Sequence, residues 1–153
     1  MPNKPHEVAK DEFTNILNQK FAQMNLSRAL RKTGSTTRTH GIWIKEPDAS
    51  WKPKSLSAEQ ASPSLILEVG LSEATGKLVL DTRGWIEAAD SQVQIAIPVR
   101  VMREKPNISC SNLGESSVHS SSNYSTPIEQ DIVISQQELE DIAREVWEVQ
   151  GFA

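Results

Sequence analysis

A chain of 153 residues, 37% hydrophobic and 24% charged, is long enough for one domain with its own core and has the composition of a soluble globular protein. Sixteen Lys and Arg against twenty Asp and Glu give a net charge of −4, which does not mark a nucleic-acid binder by bulk charge. A single cysteine, Cys110, excludes an internal disulfide, and three scattered histidines (His6, His40 and His119) without a cysteine pair beside them point away from a zinc site.

The opening "MPNKPHEVAKDEF" lacks the apolar stretch of a secretory signal, and no apolar run approaches the length of a membrane span. An intracellular protein, cytoplasmic or nuclear, with no membrane partner is expected. The charge is unevenly spread. Lys20 to Lys54 holds eight Lys and Arg against Glu46 and Asp48, and Glu104 to Ala153 holds nine acids against Lys105 and Arg144. The basic stretch reads first as a solvated face and second as a surface for phosphates.

Phe13, Ile16, Leu17, Phe21 and Met24 recur at helical spacing and predict a helix over Asp11 to Leu30, closed by Gly34. "STTRT" and "GIWIK" follow as two short strands around a turn at His40-Gly41. Pro47 and Pro53 forbid a helix in "EPDASWKPKS", and Pro47 holds Glu46 extended. Ser64 to Val69 predicts a buried strand broken by Gly70. Ser72 is a plausible cap for a helix from Glu73 to Ala89 that turns Leu78, Thr82, Trp85, Ile86 and Ala89 to one face. Val93 to Met102 predicts a second strand, parallel to the first across the helical crossover, with Pro98 placing it at an edge or bulge.

Ser109 to Ser125 holds eight serines in seventeen residues, a composition that predicts a disordered loop and the first site of limited proteolysis. "DIVI" then reads as a short strand. "SQQE", Ser135 to Glu138, is a capping box that opens a last helix with Leu139, Ile142, Ala143, Val146 and Val149 on one face. One domain over residues 1–153 is expected, without internal repeats.

Glu68 is out of place in this pattern. It stands among Leu65, Ile66, Leu67 and Val69, where an unpaired carboxylate is costly. It can meet water at the strand end, pair with a basic residue such as Arg83 or Arg100, or bind a metal. Asp48, behind Pro47 and flanked by Lys45, Lys52 and Lys54, bears on the choice. If "IWIKEPDA" pairs with "PSLILEV", both carboxylates reach neighbouring strand ends, where hard oxygen ligands suit Mg²⁺ or Mn²⁺. Trp51, in the loop after Asp48, reads as packing or as a base-stacking platform.

Pro47-Asp48, an apolar strand with Glu68-Val69 and a helix after it resemble the PD-(D/E)xK superfamily of restriction-endonuclease-like nucleases. The fuller run "KEPDASWKP … PSLILEVGLSEATGKLVLDTRGW … VQIAIPVRV" is similar to a group of uncharacterised fungal proteins of that fold. The resemblance implies an α/β fold, a small mixed sheet flanked by helices, and a metal-dependent nuclease that hydrolyses phosphodiester bonds of nucleic acid. It implies Asp48, Glu68 and the Val69 carbonyl as ligands to Mg²⁺ or Mn²⁺. The superfamily's lysine stands two residues after the glutamate, and here that residue is Gly70. Lys77, on the following helix, is the expected substitute for catalysis. A catalytically inactive descendant, acting as a binding or interaction module, is the alternative.

Overall fold

In the computed structural model, which describes residues 4–34, 37–40, 43–56, 62–71, 75–105, 107–111, 113–114 and 132–152, the first apolar stripe lies on helix α1, Lys4–Gln23. Ala9, Phe13, Leu17 and Phe21 share one face and are at most 3% exposed. The helix begins before Asp11 because Pro5 falls in its first turn, where a missing N–H has no helical partner to lose. It also ends sooner than predicted. Asn25 adopts left-handed backbone at φ 58°, and Leu30–Lys32 forms strand β1.

Strands β2 (Arg38–His40) and β3 (Trp43–Lys45) make the predicted antiparallel pair, with the Gly41 turn outside the described residues. The main sheet contains β1, β4 (Ala49–Pro53), β5 (Leu65–Leu71), β6 (Ile95–Val101) and β7 (Ile108–Cys110) in the order β1-β4-β5-β6-β7, and β8 (Leu113–Gly114) also pairs with β6. Strands β5 and β6 are parallel across helix α2 (Thr75–Glu87), and the other pairs are antiparallel. The predicted Ser72 cap of α2 lies outside the described residues.

Alternation along β5 divides the core. Leu65, Leu67 and Val69 face α1 and helix α3 (Gln136–Gln150) together with Val99, Val101, Ile142 and Val146. Ile66 faces α2 with Trp85, Val93 and Ala96. The architecture is an α/β fold, with a mixed sheet flanked by helices on both faces. Trp51 belongs to the α1 side. It is 1% exposed, donates from Nε1 to Asn18 Oδ1 at 3.0 Å and meets the edge of Phe21, so it is a packing residue and not a base platform.

Four local expectations are corrected. Gly70 does not break β5: it pairs with Arg100, and Leu71 with Val101, because a glycine weakens a ladder without removing its donor. Pro98 lies on an interior strand. β7 pairs with Val99 to Val101 and β8 with Ile95 and Ala96, so Pro98 falls in the seam between them. Its carbonyl points there and accepts from Ser111 N–H at 3.3 Å, and the N–H it lacks would have pointed the same way.

Ser109-Cys110 and Leu113-Gly114 are ladder residues on β6, where backbone pairing outweighs a loop-like composition; residues 115–125 of the predicted loop lie outside the described residues. "DIVI" is not a strand: residues 132–134 are irregular. Ile132 and Ile134 still pack on the core while Val133 is 65% exposed, an alternation that suits any extended segment lying on a core.

The capping box forms as predicted. Ser135 Oγ accepts from Glu138 N–H, and the Glu138 carboxylate accepts from Ser135 N–H at 2.8 Å. Glu138 also pairs with Lys20 of α1 at 2.6 Å, and that contact, with the Ser135 bonds, holds its carboxyl well below the usual range, at about 2. Ser135→Ala is expected to lower stability by about 1 kcal/mol, read by thermal or urea unfolding.

Candidate active site

Asp48 stands at the corner between β3 and β4. Pro47 is fully buried there and fixes the turn, while Glu46 is exposed. The strand that pairs with β5 is the one after Asp48, Ala49–Pro53; "IWIK", expected in that role, pairs with β2 instead. The expected placement of both carboxylates at strand ends is not met: Asp48 immediately precedes β4, whereas Glu68 lies in the middle of β5. Ala49 pairs with Leu67, so Asp48 lies opposite Glu68, one step beyond the last paired residues.

Asp48 is held from two sides. Its Oδ2 accepts from Val69 N–H at 2.7 Å, and its Oδ1 lies 3.3 Å from His6 Nε2 on α1. In extended backbone the N–H and C=O of one residue point to the same side, so the Val69 carbonyl opens on the edge that Asp48 occupies. The hydrogen bond to Asp48 raises the His6 imidazole to about 9, with Glu7 adding to the effect and burial opposing it. A group raised in the folded state lends stability that is complete below its unfolded pKa, about 6.5, and is lost as pH rises through the folded value. Melting between pH 6 and 10 is therefore expected to fall on the alkaline side, and His6→Gln to flatten that fall.

Glu68 projects to the α2 face of β5 and is 7% exposed. Trp85, fully buried on α2, donates its indole N–H to Glu68 Oε1 at 2.5 Å. Lys45 Nζ lies 3.4 Å from the same oxygen, and also donates to the Asp81 carbonyl at 3.4 Å. Burial drives the Glu68 carboxyl up to about 7. Lys45 and the Trp85 bond oppose the shift, and the nearby charge of Asp48 adds to it. Among the described residues the basic partner of Glu68 is thus Lys45; Arg83 pairs with Glu87 at 3.6 Å, and Arg100 lies beside Gly70 with a buried Nε that finds no hydrogen-bond partner among them.

Lys77 is on the first turns of α2. Its side chain is 64% exposed and pairs with Asp81 at 3.9 Å. The described structure brings together Asp48, Val69 and Glu68 with two groups that sequence reasoning did not place: His6, far upstream in the chain, and the Trp85 indole, expected on the packing face of α2 but not as a donor. Lys45 was legible only as one of three lysines flanking Asp48. Among the described residues no three His, Cys, Asp or Glu side chains gather to hold a metal by themselves. The register sets two carboxylates opposite each other beside the Val69 backbone, and both described contacts of Glu68 fall on Oε1. This donor set fits a hard divalent cation.

No family model and no curated protein matches the chain. Its structure is similar to that of a protein from Anabaena variabilis ATCC 29413 described as "a putative nuclease belonging to DUF820", with a TM-score of 0.54 over 95% of this chain and 84% of that one. The two proteins share a fold. At 13% identity the likeness is one of architecture, and the chemistry has to be argued from the residues.

No described helix is long and apolar enough to cross a membrane. Of the basic stretch, Arg28, Arg31, Lys32 and Lys54 are exposed, whereas Lys52 is 3% exposed and Lys45 is half-buried. The stretch is not a uniform solvated face.

Proposed function

We propose that the chain is a metal-dependent nuclease that hydrolyses phosphodiester bonds of nucleic acid. The observation that carries this reading is the register that sets Asp48 opposite Glu68, with the Val69 backbone between them. Asp48, Glu68 and the Val69 carbonyl would hold Mg²⁺ or Mn²⁺, which when bound supplies an acidified water and neutralises charge on the phosphate. The Val69 N–H and His6 orient Asp48. The Trp85 indole orients Glu68 and keeps water from one of its oxygens. Hydrolysis forms one P–O bond to the water oxygen and breaks one to the departing sugar oxygen, which takes up a proton. A lysine amine from outside position 70 completes the set. The exposed arginines and lysines of β1 and its flanks suit a phosphate backbone. The narrower kinship with the fungal group rests on the runs from Lys45 to Pro53, Pro63 to Trp85 and Val93 to Val101.

One observation favours a second reading, a non-catalytic descendant that binds partners through the same fold. Gly70 supplies no side chain at the superfamily's lysine position, and a Cβ placed there would meet the Leu78 side chain at 3.0 Å, a tight contact that Leu78 would have to relieve. The test is cleavage of plasmid, single-stranded DNA and RNA with Mg²⁺ or Mn²⁺. The nuclease reading expects cleavage that EDTA stops and that Glu68→Gln abolishes. Binding without cleavage, in every metal and on every substrate, would favour the descendant.

A further inference from the structure

On β5 the side chain after Glu68 on the same face belongs to position 70, where a Cβ would lie 3.0 Å from the Leu78 methyls and Leu78 would have to give way by a few tenths of an ångström. Gly70 carries no amine, so a lysine amine for this site has to come from elsewhere. It can come from β3. Lys45 ends β3, just before the buried Pro47 corner, and its ammonium lies 3.4 Å from Glu68 Oε1. The Asp81 carbonyl of α2 accepts from the same ammonium. Asp81 therefore anchors a lysine through its backbone.

We propose that Lys45 is the catalytic lysine of this site, its ammonium contacting the phosphate or the attacking water beside Glu68. The inference rests on the nuclease reading above. An ammonium has three donors on one compact charge, so an anion or water brought against Glu68 comes within its hydrogen-bonding reach. The Lys45 side chain is 24% exposed and tied to two elements, whereas Lys77 is 64% exposed on a helix surface. A catalytic group gains from being held in place, as Lys45 is by Glu68 and the Asp81 carbonyl.

The experiment uses the full chain as wild type and K45A. Mn²⁺ binding is followed by calorimetry, cleavage of a plasmid and a single-stranded oligonucleotide is timed with Mn²⁺, and the assays are repeated with added methylamine. Expected for K45A are Mn²⁺ affinity within about threefold of wild type, cleavage about 100-fold slower, and recovery with methylamine, which leaves wild type unaffected. Should K45A fail to fold, K45M, which keeps the aliphatic stem, is read by the same binding and cleavage measurements. A loss of cleavage under tenfold, a loss that methylamine does not relieve in K45A, or a parallel loss of Mn²⁺ binding overturns Lys45 and leaves the nuclease reading standing. A wild type that neither binds Mn²⁺ nor cleaves removes the nuclease reading and Lys45 with it.

Discussion

Replacing Trp85 by alanine is expected to cost about 3–5 kcal/mol of stability, the range for a buried aromatic. Trp85 is fully buried against Ile66, Val93 and Ala96, and it is the largest side chain joining α2 to the sheet. A second effect adds to the cavity. The indole N–H is the described hydrogen-bond donor from α2 to Glu68, and its loss leaves a 7% exposed carboxyl with less support for its charge. Trp85→Phe separates the two contributions: it retains most of the packing and removes the N–H. Urea denaturation of both variants is the measurement. A loss under 1 kcal/mol for Trp85→Ala would mean that α2 does not depend on this anchor, and the orientation assigned to Glu68 would fail with it.

The second large effect concerns the carboxylates. Glu68→Gln retains an acceptor for the Trp85 indole and removes a charge that burial opposes. Glu68 titrates near 7 in the folded chain and near 4.5 in the unfolded one, so the folded state binds the extra proton between those values. Stability from this group is complete below about pH 4.5 and is lost as pH rises through 7. Above pH 7 the Gln variant is expected to match wild type or exceed it by up to about 3 kcal/mol, and the difference should vanish near pH 4. A structural ion pair with Lys45 gives the opposite sign, with Glu68→Gln less stable at neutral pH because a half-buried ammonium loses its counter-charge. Thermal melts at pH 4, 6 and 8 decide the sign. Asp48→Asn is expected to leave the metal-free fold in place, since an amide oxygen still accepts from Val69 N–H.

Periodicity was a reliable guide where a single face is buried. The stripe of α1, the strand Leu65 to Val69, the crossover through α2 and the capped α3 all follow from apolar spacing and caps. Periodicity failed where backbone pairing decides: Gly70 stays in a ladder, Pro98 sits inside the sheet because its missing donor faces a seam, and serine-rich residues join β6. The site was legible in part for the same reason. Asp48 and Glu68 are marked by being acids in poor places for acids, one behind a proline and the other in an apolar strand. Neither His6 nor Lys45 carries such a mark. His6 lies in the first turn of a helix and Lys45 on a short strand, and the packing of α1 and the Pro47 corner brings them to the carboxylates.

Calorimetric titration of Mg²⁺ and Mn²⁺ into wild type, Asp48→Asn and Glu68→Gln tests the carboxylate pair most directly. Wild type is expected to bind a divalent ion at millimolar concentration or below and, under pH 7, to release a proton on binding, because Glu68 enters the complex ionised. Both variants are expected to show no binding while melting as folded proteins. Wild type without measurable heat at millimolar Mg²⁺ and Mn²⁺, or variants that bind as well as wild type, would contradict a metal site at Asp48 and Glu68.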